Sequence, residues 1–164
     1  LSGNAYFNGG WLYKANGNVT LNAYTYPANQ NYVFLINGNL TINGRQLLSG
    51  GSTLTVSTAG DINVNPNVGG GNPDLEGLYS SDKNFFVNGT PRVCQIGSRD
   101  LPLNVRGSIV VNAKLQGGIF RNIRTLCDQN ASCPAVNLTP RLDLVTRAPG
   151  FIKHSASLSK EIAP

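Results

Sequence analysis

Five segments of this chain repeat one pattern, and a chain that repeats at a short, near-constant period has few ways to fold. The copies run 16–22 (NGNVTLN), 37–43 (NGNLTIN), 59–65 (AGDINVN), 82–88 (DKNFFVN) and 106–112 (RGSIVVN). Their closing asparagines are Asn22, Asn43, Asn65, Asn88 and Asn112, spaced 21, 22, 23 and 24 residues apart. A period in this range marks stacked repeats, each too small to bury its apolar face alone.

Every copy ends in apolar–x–apolar–Asn: Val19 and Leu21, Leu40 and Ile42, Ile62 and Val64, Phe85 and Val87, Ile109 and Val111. Alternation at period two, rich in β-branched residues, predicts a strand with one buried face. Thr20, Thr41 and Asn63 suit the wet face. A second strand fits between copies, at 33–36, 53–56, 75–79 and 101–105, so that one period holds strand, corner, strand and a longer loop. Gly17, Gly38, Gly60 and Gly107 are placed to give the corners a positive φ, and Lys83 interrupts that column. The five closing asparagines suit a stacked amide ladder, because Asn tolerates the left-handed backbone and its amide can bond to the next copy.

These features predict an all-β fold: a single-stranded parallel β-helix, or solenoid, with turns of about 21–24 residues and a C-terminal cap carrying a short helix. The competing arrangement is an antiparallel sandwich, whose strands also alternate with turn signals. The regular drift of the spacing favours the stack. Residues 1–115 would form the turns, and 116–164 the last strand, a cysteine loop and the cap of the same domain. Stacks need such a cap to cover the open end of the core.

Composition agrees with a β-rich surface or secreted protein and argues against a helical cytosolic enzyme. Charged residues make up 13% of 164, while Asn numbers 21 and Gly 19. No segment is long and apolar enough to span a membrane. The chain begins at Leu1 and contains no Met, which points to a piece of a longer or processed protein. The net charge of +5 comes mainly from arginines spread singly through the second half, without the basic stripe and interleaved aromatics of a nucleic-acid surface.

The requirements of sugar-cleaving β-helices are not met. The polygalacturonase-like motifs Asn-Thr-Asp, Asp-Asp, Gly-His-Gly and Arg-Ile-Lys do not occur, so the paired carboxylates of acid–base glycoside chemistry are missing. Asp74, Glu76 and Asp82 are the only close acids; a dyad is conceivable there, and a solvated loop edge is the simpler expectation. Asp61, Asn63, Asn65 and Asn67 imitate alternating calcium ligands, but Pro66 replaces the needed glycine and Asn72 the closing glutamate. Gly69-Gly70-Gly71-Asn72-Pro73-Asp74 approximates a calcium-binding nonapeptide once, and reads as a turn. His154 beside Ser155 is too common a pairing to carry a triad. No catalytic, cofactor or metal residue is assigned.

Cys127 and Cys133 bracket five residues of a largely polar loop, a spacing that predicts a loop-clipping disulfide in a secreted chain. A zinc site there lacks ligands, since the single His is at 154. Cys94 reads as a buried small hydrophobe, with pairing to another chain left open. Five Asn-x-Ser/Thr sequons, at Asn18, Asn39, Asn88, Asn130 and Asn137, carry no argument at this Asn content. Trp11, Tyr13, Tyr24, Tyr26 and Tyr32 give the N-terminal part an aromatic excess. They suit core packing at the first turn, and Trp11, Tyr13, Tyr24 and Tyr26 are the candidate contacts should the chain bind glycans.

The segments 34–42, 75–79 and 105–109, with the ending 140–144 through 161–164, resemble predicted cell-surface proteins of uncultured small-genome bacteria in order and spacing. The likeness runs from about residue 32 to the end. It implies an extracellular β-helix and transfers no site residue. The expected function is a non-catalytic structural or adhesion module of a bacterial surface protein, with surface glycans or other envelope proteins as partners and no cofactor. The alternative is a glycan-binding or polysaccharide-cleaving β-helix module.

Overall fold

A computed structural model describes residues 2–7, 10–90, 100–112, 117–130 and 132–147, with the backbone alone for 2–7, 128 and 145. Cys94, His154 and the expected helix near 151–155 lie outside the described residues.

The chain is all-β with parallel sheets. Its strands are β1 (Ser2–Phe7), β2 (Gly10–Asn16), β3 (Val19–Leu21), β4 (Tyr24–Tyr26), β5 (Asn31–Asn37), β6 (Leu40–Ile42) and β7 (Gln46–Leu48). They continue as β8 (Thr53–Thr58), β9 (Ile62–Val64), β10 (Leu75–Ser81), β11 (Phe85–Val87), β12 (Leu103–Val110), β13 (Phe120–Asn122) and β14 (Val136–Thr139), followed by helix α1 (Leu142–Arg147). A nine-stranded sheet has the order β1-β2-β5-β8-β10-β12-β14, with β4 and β7 joined to it through β10; a five-stranded sheet has the order β13-β11-β9-β6-β3. All pairings are parallel except β1 with β2, which is antiparallel.

From β2 to β13 each repeat supplies one long strand to the large sheet and one short strand to the small sheet, and the first two repeats add a further short strand, β4 and β7. Across the short strands Val19, Leu40, Ile62 and Phe85 stand in register, as do Leu21, Ile42, Val64 and Val87. On the long strands the inward partners are Tyr13, Phe34, Val56, Tyr79 and Ile109. The two sets face each other, and Leu40, Ile42, Ile62, Val64, Phe85 and Val87 are fully buried. Burying a side chain of this size contributes about 1.5–3 kcal/mol, so the shared interior is the main source of stability.

The fifth repeat departs from expectation. Residues 106–110 of this copy belong to β12 of the large sheet, where Gly107 pairs with Gly77 and Ile109 with Tyr79. The fifth member of the short-strand column is Phe120, opposite Phe85 with rings stacked at 5.7 Å. Leu103, Val105, Gly107 and Ile109 alternate as one continuous strand that matches the length of β10, and this longer ladder wins over the local repeat.

The corner glycines also play different roles from those expected. Gly17 does have a positive φ of 113°. Gly38 and Gly60 do not; they are glycines because the corners stack too closely for a side chain. A β-carbon on Gly38 would overlap the Gly17 carbonyl, and one on Gly60 would overlap Asn39 Oδ1 and the Gly38 carbonyl. The Gly60 N–H donates to the Gly38 carbonyl at 2.9 Å, which fixes that close approach.

Candidate functional site

The inner face of the first repeats carries an aromatic cleft of about 300 Å³. β2 supplies Tyr13, β4 supplies Tyr24 and Tyr26, and β5 supplies Tyr32 and Phe34. Tyr13 and Phe34 are direct cross-strand partners, 21 residues apart, and their rings stack at 4.7 Å with 13° between planes. Tyr26 meets Tyr24 edge to face at 4.9 Å and Tyr32 at 4.8 Å. Such contacts fix ring orientation beyond simple burial.

The floor of the cleft is locked by Gln46, which is fully buried. The Tyr26 hydroxyl donates to Gln46 Oε1 at 3.0 Å, and Gln46 Nε2 donates to the carbonyls of Asn22 at 2.7 Å and Gly44 at 3.0 Å. The Tyr32 hydroxyl donates to Gln30 Oε1 at 3.4 Å. The Tyr13 and Tyr24 hydroxyls make no hydrogen bond among the described residues. Tyr24 is 54% exposed, against 3% for Tyr26. Burial, and then the neighbouring phenol of Tyr24, raises the pKa of Tyr13, Tyr26 and Tyr32, so the phenols face one another and stay neutral.

Three of the four aromatic residues singled out from sequence, Tyr13, Tyr24 and Tyr26, therefore share this cleft. Trp11 does not line it. Its ring is half-buried opposite Tyr32, and its indole N–H bonds to Gln30 Oε1. Phe34 and Gln46 were not singled out. The one available signal for Phe34 was its 21-residue offset from Tyr13, which equals the repeat period.

Asp74 and Glu76, expected at a solvated loop edge, are buried. Asp74 Oδ1 accepts the Gly71 N–H at 2.7 Å and lies 3.6 Å from Arg45 Nε, while Oδ2 accepts the Asn104 N–H at 2.9 Å. Glu76 Oε1 accepts from Arg141 at 3.0 Å, and Oε2 accepts the Leu48 N–H at 2.8 Å. Buried carboxylates need such partners. These acids tie loops and α1 to the sheet, and each oxygen is already engaged.

A second tie is Arg124, which is buried with Nε donating to the Asn88 carbonyl at 3.1 Å, Nη1 to Leu101 at 2.9 Å and Nη2 to Asn65 at 2.8 Å. Desolvation lowers its pKa, opposed by the charges of Asp100 and Asp74.

Two polar columns run along the stack. In the one read from sequence, Asn43 Nδ2 donates to Asn22 Oδ1 at 3.2 Å and Asn65 Nδ2 to Asn43 Oδ1 at 2.8 Å. Asn88 keeps its place in register through its N–H, which donates to the Val64 carbonyl at 2.9 Å. Asn112 is displaced with β12: its N–H meets the Lys83 carbonyl at 3.2 Å, and Ile123, whose N–H donates to the Val87 carbonyl at 3.0 Å, follows Asn88 in the column instead. The second column is longer. Asn18 Oδ1 accepts the Asn39 N–H, Asn39 Oδ1 the Asp61 N–H, Asp61 Oδ1 the Asn84 N–H and Asn84 Oδ1 the Ile119 N–H, at 2.9–3.1 Å. Asp61 thus serves the stack, in the place where the sequence imitates calcium ligands. Among the described residues no group of three or more His, Cys, Asp or Glu is placed to hold a metal ion.

The expected Cys127–Cys133 clip is not formed, since Cys133 carries an exposed free thiol. The loop closes through its backbone instead: Asn130 N–H donates to the Cys127 carbonyl at 3.2 Å and Cys133 N–H to Gln129 at 2.8 Å. Asn130 Oδ1 adds a bond from the Leu126 N–H at 2.8 Å. No helix among the described residues is long and apolar enough to cross a membrane.

No protein-family model, curated protein or solved structure matches this chain.

Proposed function

We propose that the chain is a stretch of single-stranded parallel β-helix serving as a non-catalytic structural or adhesion module on a bacterial cell surface. The observation that carries this reading is the register. Val19, Leu40, Ile62 and Phe85 pair in a row, and the Asn18–Asn39–Asp61–Asn84 column wires each repeat to the next. A molecule whose polar side chains are spent on joining its own repeats is suited to stiffness, and its loops remain available for contact with other envelope components. Surface labelling of intact cells expressing the full protein with a membrane-impermeant amine reagent tests the location. Exposed Lys14 and Lys83 should be modified without lysis; modification only after lysis would overturn the reading.

The second reading, glycan binding by the module, is favoured by the exposed Tyr24 at the mouth of a prearranged aromatic cleft. Incubation of the purified chain with polysaccharides separates binding from cleavage. Retention on a polysaccharide without release of new reducing ends is the expected result, and release would make the module an enzyme.

A further inference from the structure

The cleft has properties that narrow its ligand. Its lining, which includes Tyr13, Tyr24, Tyr26, Tyr32, Phe34 and Asn22, contains no acidic or basic side chain. Two of its phenol hydroxyls are committed to Gln46 and Gln30, whereas those of Tyr13 and Tyr24 make no bond among the described residues. The cleft therefore offers flat apolar rings beside two hydroxyls able both to donate and to accept. Its volume of about 300 Å³ holds one or two sugar-sized rings, at the lower end for small-molecule sites.

We propose that this cleft binds an uncharged saccharide, stacking the C–H face of one sugar ring on Tyr24 and hydrogen-bonding its hydroxyls to Tyr13 and Tyr24. The inference rests on the glycan-binding reading given above and adds selection by charge. A uronate or sulfated sugar brings a full negative charge, which is costly to desolvate unless an opposite charge stands against it. The lining offers polar donors such as the Asn22 amide but no cation, so the full charge is left without an opposite charge. An ammonium ligand would meet ring faces, but Tyr13 already presents one face to Phe34, and Tyr26 is packed against Tyr24 and Tyr32, so the rings do not form an open cage. A neutral polyol matches both the rings and the hydroxyls. Since no charge takes part, binding should be insensitive to salt.

The test is calorimetric titration of the whole chain with neutral oligosaccharides (cellohexaose, maltohexaose and chitohexaose) and with oligogalacturonate, each at low and at high salt. Saturable binding of at least one neutral probe, changed less than about twofold by salt, is expected. Tyr24→Ala should weaken it about tenfold and Tyr13→Phe a few fold, while Lys83→Ala, far from the cleft, leaves it unchanged. Tyr24 is half-exposed, so circular dichroism of Tyr24→Ala should match the parent. Binding of oligogalacturonate that depends on Tyr24 would overturn selection by charge and leave glycan binding standing. No binding of any probe, or binding indifferent to Tyr24→Ala, would overturn both.

Discussion

Gly107 lies directly against Gly77 in the parallel pair of β10 and β12, and a β-carbon on Gly107 would overlap the Gly77 carbonyl oxygen. Gly107 also has a φ of 152°, which an L-residue with a side chain rarely adopts. Gly107→Ala is expected to cost about 3 kcal/mol through backbone strain and overpacking together. Gly50→Ala, with open space around it, should stay within about 0.5 kcal/mol. Urea midpoints of the two variants measure the difference, and equal midpoints would show that β10 and β12 are not paired as described.

The Asn18–Asn39–Asp61–Asn84 column makes its own prediction. Asn39→Ala removes the acceptor of the Asp61 N–H and should destabilise by about 1 kcal/mol. Asn39→Asp keeps an oxygen in place and should lose less. Amide hydrogen exchange at Asp61 should quicken in Asn39→Ala and stay close to the parent rate in Asn39→Asp.

Arg124 spans three separate segments, so replacing it with Met leaves the carbonyls of Asn65, Asn88 and Leu101 without that donor. A loss of about 3 kcal/mol is expected, or roughly 10 °C in Tm for a chain of this size. Arg124→Lys retains the charge without the planar fork and should fall between. A melting curve unchanged by either substitution would contradict the contacts described.

Asp100 contributes to stability against acid. Burial alone pushes its pKa up, but the Thr90 hydroxyl and N–H, the Thr125 N–H and the Arg124 charge outweigh it, and the net shift is downward. A carboxyl held below its unfolded value of about 4 stabilises the fold above that pH, and the contribution is lost as pH falls through the folded value. Asp100→Asn should therefore flatten stability against pH below about 5, relative to the parent. Chemical denaturation at several acidic pH values checks it.

Much of the architecture could be read from the residues, and the failures have local causes. The short strands were legible because apolar–x–apolar–Asn marks both the buried face and its end, as at Leu40–Asn43 and Ile62–Asn65. The fifth copy misled because Ile109–x–Val111 fits any half-buried strand, and its true partner, Tyr79, comes from the other sheet. β4 and β7 went unnoticed, since three residues such as Gln46–Leu48 give no periodicity to count. Burial of Glu76 was invisible because its partners Leu48 and Arg141 lie 28 and 65 residues away. The cleft was half legible: aromatic residues stand out in a sequence, but the role of Gln46 depends on where β4 and β7 meet.

The reversed direction of β1 has a consequence for assembly. At that end the large sheet terminates in a strand running against all the others, while the small sheet terminates in β3, which keeps the common direction. The β1–β2 hairpin thus occupies the backbone edge of β2 that a parallel strand would otherwise join, a cover of the kind natural sheets use on exposed edges.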